Sequence, residues 1–216
     1  MMLNKKSAMP WWGWFSWFVV IVLGCLAYFH LPTQVPSHVH AGKPTLYISR
    51  LLAVMYEPSI MLAIILLWHV LWRIDPRKKN YESFWGTYRY IGGVIVVCVG
   101  LIYLTVLGHL LHIGTMRFAL TTYGLMFMLI ANVLPRLRPN WWIGVRTPWT
   151  LSSEEIWNRT HRLSGQLGIP LGILIMILAW VLPINRFTTV AVVIPVLLWA
   201  LITVVASYVY ARQERH

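Results

Sequence analysis

The chain has 216 residues, of which 58% are hydrophobic and 11% charged, with a mean hydropathy of +0.65. Soluble domains carry about 25% charged residues, so this composition excludes an ordinary soluble enzyme or binding domain and leaves no room for a sizeable soluble module. The formal charge of +12 would point to nucleic acid in a soluble protein, but the basic residues here sort by side of a membrane, and no direct nucleic-acid contact is expected.

Six apolar runs approach or exceed the roughly 18–20 residues that cross a hydrocarbon core. They predict an all-α, polytopic helical membrane protein with spans near 11–29, 51–72, 90–112, 117–135, 164–184 and 187–210, and residues 1–216 read as one integral membrane domain. Trp11, Trp12, Trp14 and Trp17 crowd the start of the first span, where indole rings favour the interfacial layer. Lys5 and Lys6 followed by Val22-Leu23-Gly24-Cys25 loosely imitate a lipoprotein cleavage box, but the segment is long enough to be retained as a helix. Cys25 and Cys98 both lie in apolar runs and read as small packing residues rather than a disulfide pair.

The first loop, residues 30–50, contains Pro32, Pro36, Pro44 and Gly42, which predict a stiff, turn-rich connector. His30, His38 and His40 cluster there. In an extended segment His38 and His40 share a face and have the spacing of metal ligands. No Cys, Asp or Glu stands close in sequence to complete a site, and no metal or cofactor is expected. In the second span Glu57, beside Pro58, is the lone acidic residue inside a membrane segment. An intramembrane carboxylate costs several kcal/mol unless paired or wet. Glu57 is therefore either a ligand-binding group or half of a structural pair with Arg50 or a histidine. His69, His109 and His112 fall near span ends, where packed or interfacial roles are commonest. Glu57, His109 and His112 lie toward the same side as the first loop and are expected to converge with it on one pocket. Gly92, Gly93, Gly100 and Gly108 predict close helix approach in span three.

Fourteen of the eighteen Lys and Arg fall on the two termini, the second loop and the fourth loop, and four on the alternate side. The positive-inside rule then assigns the termini and the two basic loops to the cytoplasm. The fourth loop, residues 136–163, reads RLRPNWWIGVRTPWTLSSEEIWNRTHRL. Ser152 and Glu155 fit a capping box, and Glu154 and Glu155 suit the positive end of a helix dipole. A short interfacial helix from about Ser153 to Arg162 is expected, with Ile156, Thr160 and Leu163 on one face. The plain alternative is a membrane-surface elbow in which tryptophans anchor and arginines meet lipid headgroups. The functional alternative is a folded cytoplasmic platform. There Arg146 would contact a carboxylate or phosphate, with Trp149 and Trp157 packing on a partner. No nucleophile–base pair or HExxH-type spacing is present, and no enzyme activity is expected.

This loop resembles the signature loop of the SdpI family of bacterial membrane immunity and signalling proteins, whose pattern looks like pNxxxGxRTPWTLsseevWxxTHrxxG. Pro139, Asn140, Gly144, Arg146, Thr147, Pro148, Trp149, Thr150, Leu151, Ser152, Ser153, Trp157, Thr160, His161 and Gly165 match. The first loop is similar to a module often found at the start of such proteins, lPxxiPxHfnxxGxpd. Pro32, Pro36, His38 and Gly42 match it, whereas His40 replaces the usual asparagine and Lys43-Pro44-Thr45 lacks the usual acidic residue.

The resemblance implies a bacterial plasma-membrane immunity protein. An outer ligand site formed by Pro36, His38, His40, Gly42, Glu57 and His109 would engage a secreted peptide toxin. A cytoplasmic surface formed by Asn140, Gly144, Arg146, Pro148, Trp149, Trp157 and His161 would capture a transcriptional repressor, and membrane lipids surround the whole. Two other classes stay open at this point. One is a small transporter or ion pathway with Glu57 and His109 as polar stations. The other is a membrane enzyme with a His/Glu metal site on the outer side.

Overall fold

The computed structural model describes residues 7–40, 43–183 and 186–214, the side chains of residues 38–40, 43–44 and 186–191 excepted. In chain order the elements are α1 (Trp11–Tyr28), β1 (Gln34–His40), β2 (Lys43–Ser49), α2 (Arg50–Ile74), α3 (Tyr81–Leu110), α4 (Arg117–Val133), α5 (Pro148–Ser152), α6 (Glu154–Val181) and α7 (Arg186–Gln213). Among the described residues six helices, all but α5, are long and apolar enough to cross a membrane. Large apolar side chains such as Leu66, Leu67, Ile177, Trp180 and Leu197 are exposed on them, as lipid-facing residues are.

Two helices are longer than the apolar runs that announce them. α3 begins at Tyr81 rather than near residue 90, because its first turns are held by an aromatic cluster and not by lipid. Trp68 stacks on Tyr88 with ring centroids 4.9 Å apart, and Tyr88 meets Trp85 at 5.5 Å and Tyr81 at 5.1 Å. The indole of Trp68 donates to the Tyr88 carbonyl at 3.1 Å, and the Tyr88 hydroxyl returns a bond to the Trp68 carbonyl. α6 runs unbroken from Glu154, so the expected short surface helix and span five are one helix. The face carrying Ile156, Trp157 and Thr160 is buried in protein and does not lie on lipid. Its N-cap is Ser153, whose hydroxyl accepts from the Ile156 N–H at 3.3 Å. The capping box lies earlier, at Thr147 and Thr150 of α5, and not at Ser152 and Glu155.

Among the described residues the first loop is the one departure from an all-α fold. It is an antiparallel hairpin, with Gln34 paired to Ser49 and His40 to Lys43. Val35, Thr45, Tyr47 and Ile48 favour strands, and their signal outweighs the prolines. Pro36 has no N–H for the ladder, and the register slips between Pro36 and His38 and again at Val39. Ser49 ends β2 and caps α2 by accepting from the Leu52 N–H at 3.3 Å, so the hairpin passes into α2 with no linker.

Pro58 inside α2 cannot donate to the Val54 carbonyl one turn back. One neighbouring helix makes up the deficit, and another braces the proline. The Tyr103 hydroxyl of α3 donates to the Val54 carbonyl at 3.2 Å, and the Trp17 indole of α1 donates to the Pro58 carbonyl at 2.8 Å. On α3 the glycines at 92 and 93 receive the indoles of Trp68 and Trp12, and Gly100 receives Val20, whereas Gly108 makes no such close approach. The tightest backbone contact is instead between α4 and α6. A Cβ on Gly124 would stand 2.7 Å from the Gly172 carbonyl oxygen, and the converse distance is the same. Arg117, at the start of α4, donates to the carbonyls of Ala179, Trp180 and Leu182 at 2.8–3.1 Å. It thereby completes the C-terminal end of α6, where a cation also opposes the helix dipole.

The bundle has two unlike ends. The Ser7 hydroxyl meets His69 at 3.0 Å near the end of α2, and Arg159 reaches Gln213 at 2.8 Å. Ser7 and Gln213 therefore lie with the second and fourth loops at a basic end, and the hairpin lies at the other.

Candidate functional site

At the basic end the second and fourth loops are built into one platform. Asp75, 2% exposed, is its centre. One carboxylate oxygen accepts from the Arg77 N–H at 2.7 Å; the other accepts from the Tyr81 hydroxyl at 2.7 Å and the Trp141 N–H at 2.9 Å. Arg77 donates to the Leu151 carbonyl at 2.6 Å and Asn80 to the Pro139 carbonyl at 2.7 Å. Sequence reasoning missed Asp75, because the 66 residues between it and Trp141 hide the contact. An acid immediately after an apolar span was the one available signal.

Asn140 is fully buried and closes the tight turn of the fourth loop on itself. Its side-chain oxygen accepts from the N–H groups of Trp142 and Ile143 at 2.9 and 2.7 Å. Its amide nitrogen donates to the carbonyls of Arg138 and Ile143 at 2.9 and 3.1 Å. Trp157, also fully buried, donates to the Leu137 carbonyl at 2.9 Å and stacks on His161 at 4.0 Å. His161 has no exposure, and both ring nitrogens are committed. A carbonyl only accepts, so Nδ1 carries the proton toward the Trp157 oxygen at 2.8 Å. Nε2 then accepts from the Val145 N–H at 3.0 Å. That contact needs Gly144, which has φ +109° and whose hypothetical Cβ would stand 2.2 Å from Nε2.

Among the residues expected to touch a partner, Asn140, Trp157 and His161 are thus withdrawn from the surface and shape it from within. Arg146 and Pro148 are exposed. Arg146 donates to the Trp141 carbonyl, and the rings of Trp141 and Trp142 in the same loop are exposed. Trp149 is partly buried against Tyr208 of α7 at 5.1 Å. Thr147 and Ser207, 3.0 Å apart, tie the same loop to α7. The Arg138–Glu154 ion pair at 3.1 Å is exposed on both sides and contributes little.

At the opposite end a cavity of about 460 Å³ opens between the hairpin, α2 and α3. Pro36 and Ile48 roof it, Tyr56 and Glu57 come from α2, and Tyr103 and Leu107 from α3. Among the described residues no hydrogen bond or ion pair reaches the Glu57 carboxylate. The expected partner, Arg50, instead lies over the Tyr28 ring at 4.5 Å. The cavity brings Pro36 and Glu57 together but does not include His109 or His112. His109 stands two residues from Leu107, about half a turn round the helix, and is exposed, as is His112. The side chains of His38 and His40, and Gly42 as a whole, lie outside the described residues. Among the described residues no three His, Cys, Asp or Glu gather to hold a metal ion.

Such a molecule is a multi-pass helical membrane protein, with an apolar, singly acidic cavity at one end and a hydrogen-bonded basic platform at the other. Residues 136–207, the platform loop with α6 and most of α7, match the model of the SdpI/YfhL protein family. The chain is also 23% identical over 207 residues to the Immunity protein SdpI of Bacillus subtilis (strain 168), covering 90% of this chain and 95% of that protein. No solved structure matches. The chain is thus similar to the SdpI/YfhL protein family over residues 136–207 and to one immunity protein over most of its length.

Proposed function

We propose that this protein is an immunity protein of a bacterial plasma membrane, protecting its cell from a secreted antimicrobial peptide without catalysis. The observation that carries the reading is the Glu57 carboxylate, without a partner among the described residues, in an otherwise apolar cavity beneath the hairpin. Such a site favours an apolar segment that brings a basic group, because the empty state leaves a carboxylate poorly solvated. The near full-length likeness to an immunity protein supports the same reading. With the basic end in the cytoplasm, as the positive-inside rule favours, the cavity faces the outside, where a secreted peptide arrives.

The platform then serves as the reporting surface. α2 joins the two ends: it starts at the hairpin, carries Glu57, is weakened at Pro58 and ends one residue before Asp75. A ligand that binds better to one position of α2 shifts the population toward it, and Asp75 passes the shift to Trp141 and Arg146. Arg146, Pro148 and Trp149 would contact a cytoplasmic transcriptional repressor, whose affinity and the peptide's are then reciprocally coupled.

The test is survival of a toxin-sensitive bacterium that expresses the chain when it is challenged with sporulation-delaying peptide. Wild type is expected to protect and Glu57→Gln to fail, while Arg146→Ala retains protection and loses repressor recruitment to the membrane. No protection by a correctly inserted wild type would overturn the reading. Equal loss of both outputs in a stable Arg146→Ala variant would reduce the platform to a structural elbow.

A further inference from the structure

Among the described residues the buried polar side chains are almost all paired; of four exceptions, Thr160 Oγ1 lies alone on α6 and the other three lie near the end of α2 and the start of α3. Trp72 Nε1, Trp85 Nε1 and Arg89 Nε are inaccessible and have no hydrogen-bond partner among the described residues. All three are donors. The indoles of Trp72 and Trp85 meet edge to face at 5.3 Å, and Trp85 is only 8% exposed. Arg89 follows Trp85 by four residues on α3, so the two share a helix face. The Arg73 guanidinium sits 5.0 Å from the Trp72 ring centre and adds a second cation. The neighbouring carboxylate, Asp75, cannot serve these donors, because both its oxygens are already engaged by Arg77, Tyr81 and Trp141.

A buried donor left unpaired costs about 1–3 kcal/mol, more when charged, and three side by side call for one acceptor-rich, negatively charged group. We propose that Trp72, Trp85, Arg73 and Arg89 form a binding site for a phosphate-bearing anion. Trp72 and Arg73 close α2 and Trp85 opens α3, both at the basic end, which is the level of a bilayer's phosphate layer. The phosphodiester of an anionic lipid headgroup has the required chemistry there: several acceptor oxygens, a formal negative charge, and acyl chains that continue along the apolar helices. A guanidinium offers such a group two parallel N–H bonds, whereas an ammonium offers a point charge. Free phosphate shares the acceptor chemistry but not the chains.

Native mass spectrometry of the full chain released from bilayers of mixed phosphatidylglycerol and phosphatidylcholine tests the site, with inorganic phosphate as the competing probe. Wild type is expected to retain phosphatidylglycerol selectively. Arg89→Gln should weaken that retention about tenfold, with Arg89→Lys recovering only part. Trp85→Phe keeps an aromatic ring but removes the indole N–H, and should cost several-fold at an unchanged melting temperature, which separates loss of the donor from loss of fold. Retention that inorganic phosphate displaces at millimolar concentration supports the anion site and assigns it to free phosphate. Equal retention by wild type, Arg89→Gln and Trp85→Phe, each with an unchanged melting temperature, overturns the proposal.

Discussion

The platform and the cavity use polar groups in opposite ways. At the basic end Asp75, Asn140, Thr150 and His161 are buried, and each is fully engaged with the chain itself. At the hairpin end Glu57 stands in an apolar cavity with no partner among the described residues. Buried polar groups that satisfy one another fix a shape, because any other arrangement leaves donors or acceptors unpaired. A polar group left unmatched stores a demand that a ligand can meet. The platform is therefore expected to move as one unit and to be sensitive to substitution, whereas the cavity tolerates substitution and is where a ligand acts.

The most severe way to break the comparison is at Asp75. Its removal strands the Arg77 and Trp141 N–H groups and the Tyr81 hydroxyl in a dry site. Asp75→Ala is expected to cost about 4 kcal/mol, taking about 1–3 for each stranded group and allowing for relaxation. Asp75→Asn keeps one acceptor and should cost roughly half as much. Reversible detergent titration of the purified protein measures both. A cost below 1 kcal/mol for Asp75→Ala would mean that the two loops are not one unit. Gly144→Ala comes next, at about 3 kcal/mol, because φ +109° is strained for alanine and the new Cβ would displace His161 from Val145. Its signature beyond stability is renewed hydrogen exchange at the Val145 N–H.

These two positions also show what the sequence could carry. The loop's composition and its SdpI-like pattern singled out Gly144, Asn140, Trp157 and His161 as special. A pattern does not say whether a special residue faces out or in, and three of these four face in. Asp75 stayed hidden because its partners are remote in sequence. The starts of α3 and α6 were misplaced because apolar runs mark where lipid begins, whereas those helices continue into protein on aromatic and capping contacts. The hairpin was missed because three prolines were weighed above the alternating β-branched and aromatic residues beside them. The six spans were legible throughout, since length and hydropathy are what a bilayer demands.

A smaller effect sharpens the contrast by testing how α2 tolerates its proline. Tyr103→Phe strands the Val54 carbonyl and should cost about 1 kcal/mol. In a Pro58→Ala background the residue-58 N–H can take that carbonyl, and the same substitution should become nearly neutral. The double-mutant cycle therefore predicts a coupling of about 1 kcal/mol. Additive costs would mean that Tyr103 braces α3 for some other reason, and that α2 has no hinge beneath the cavity.

The smallest effect on stability belongs to the residue on which the proposed function depends most. Glu57 has no partner among the described residues, so Glu57→Gln removes no bond and relieves a poorly solvated carboxylate. Its stability should stay within about 0.5 kcal/mol of wild type or rise slightly, as expected of a substitution that breaks no structural feature. Protection against the peptide should nevertheless fall sharply, and Glu57→Asp should restore part of it by returning the charge on a shorter arm. A structural carboxylate would behave in the opposite sense, with stability lost and protection falling only in proportion. The two curves, melting and survival, separate these cases in one pair of strains, because the cavity reading requires them to diverge at Glu57 and to move together at Asp75.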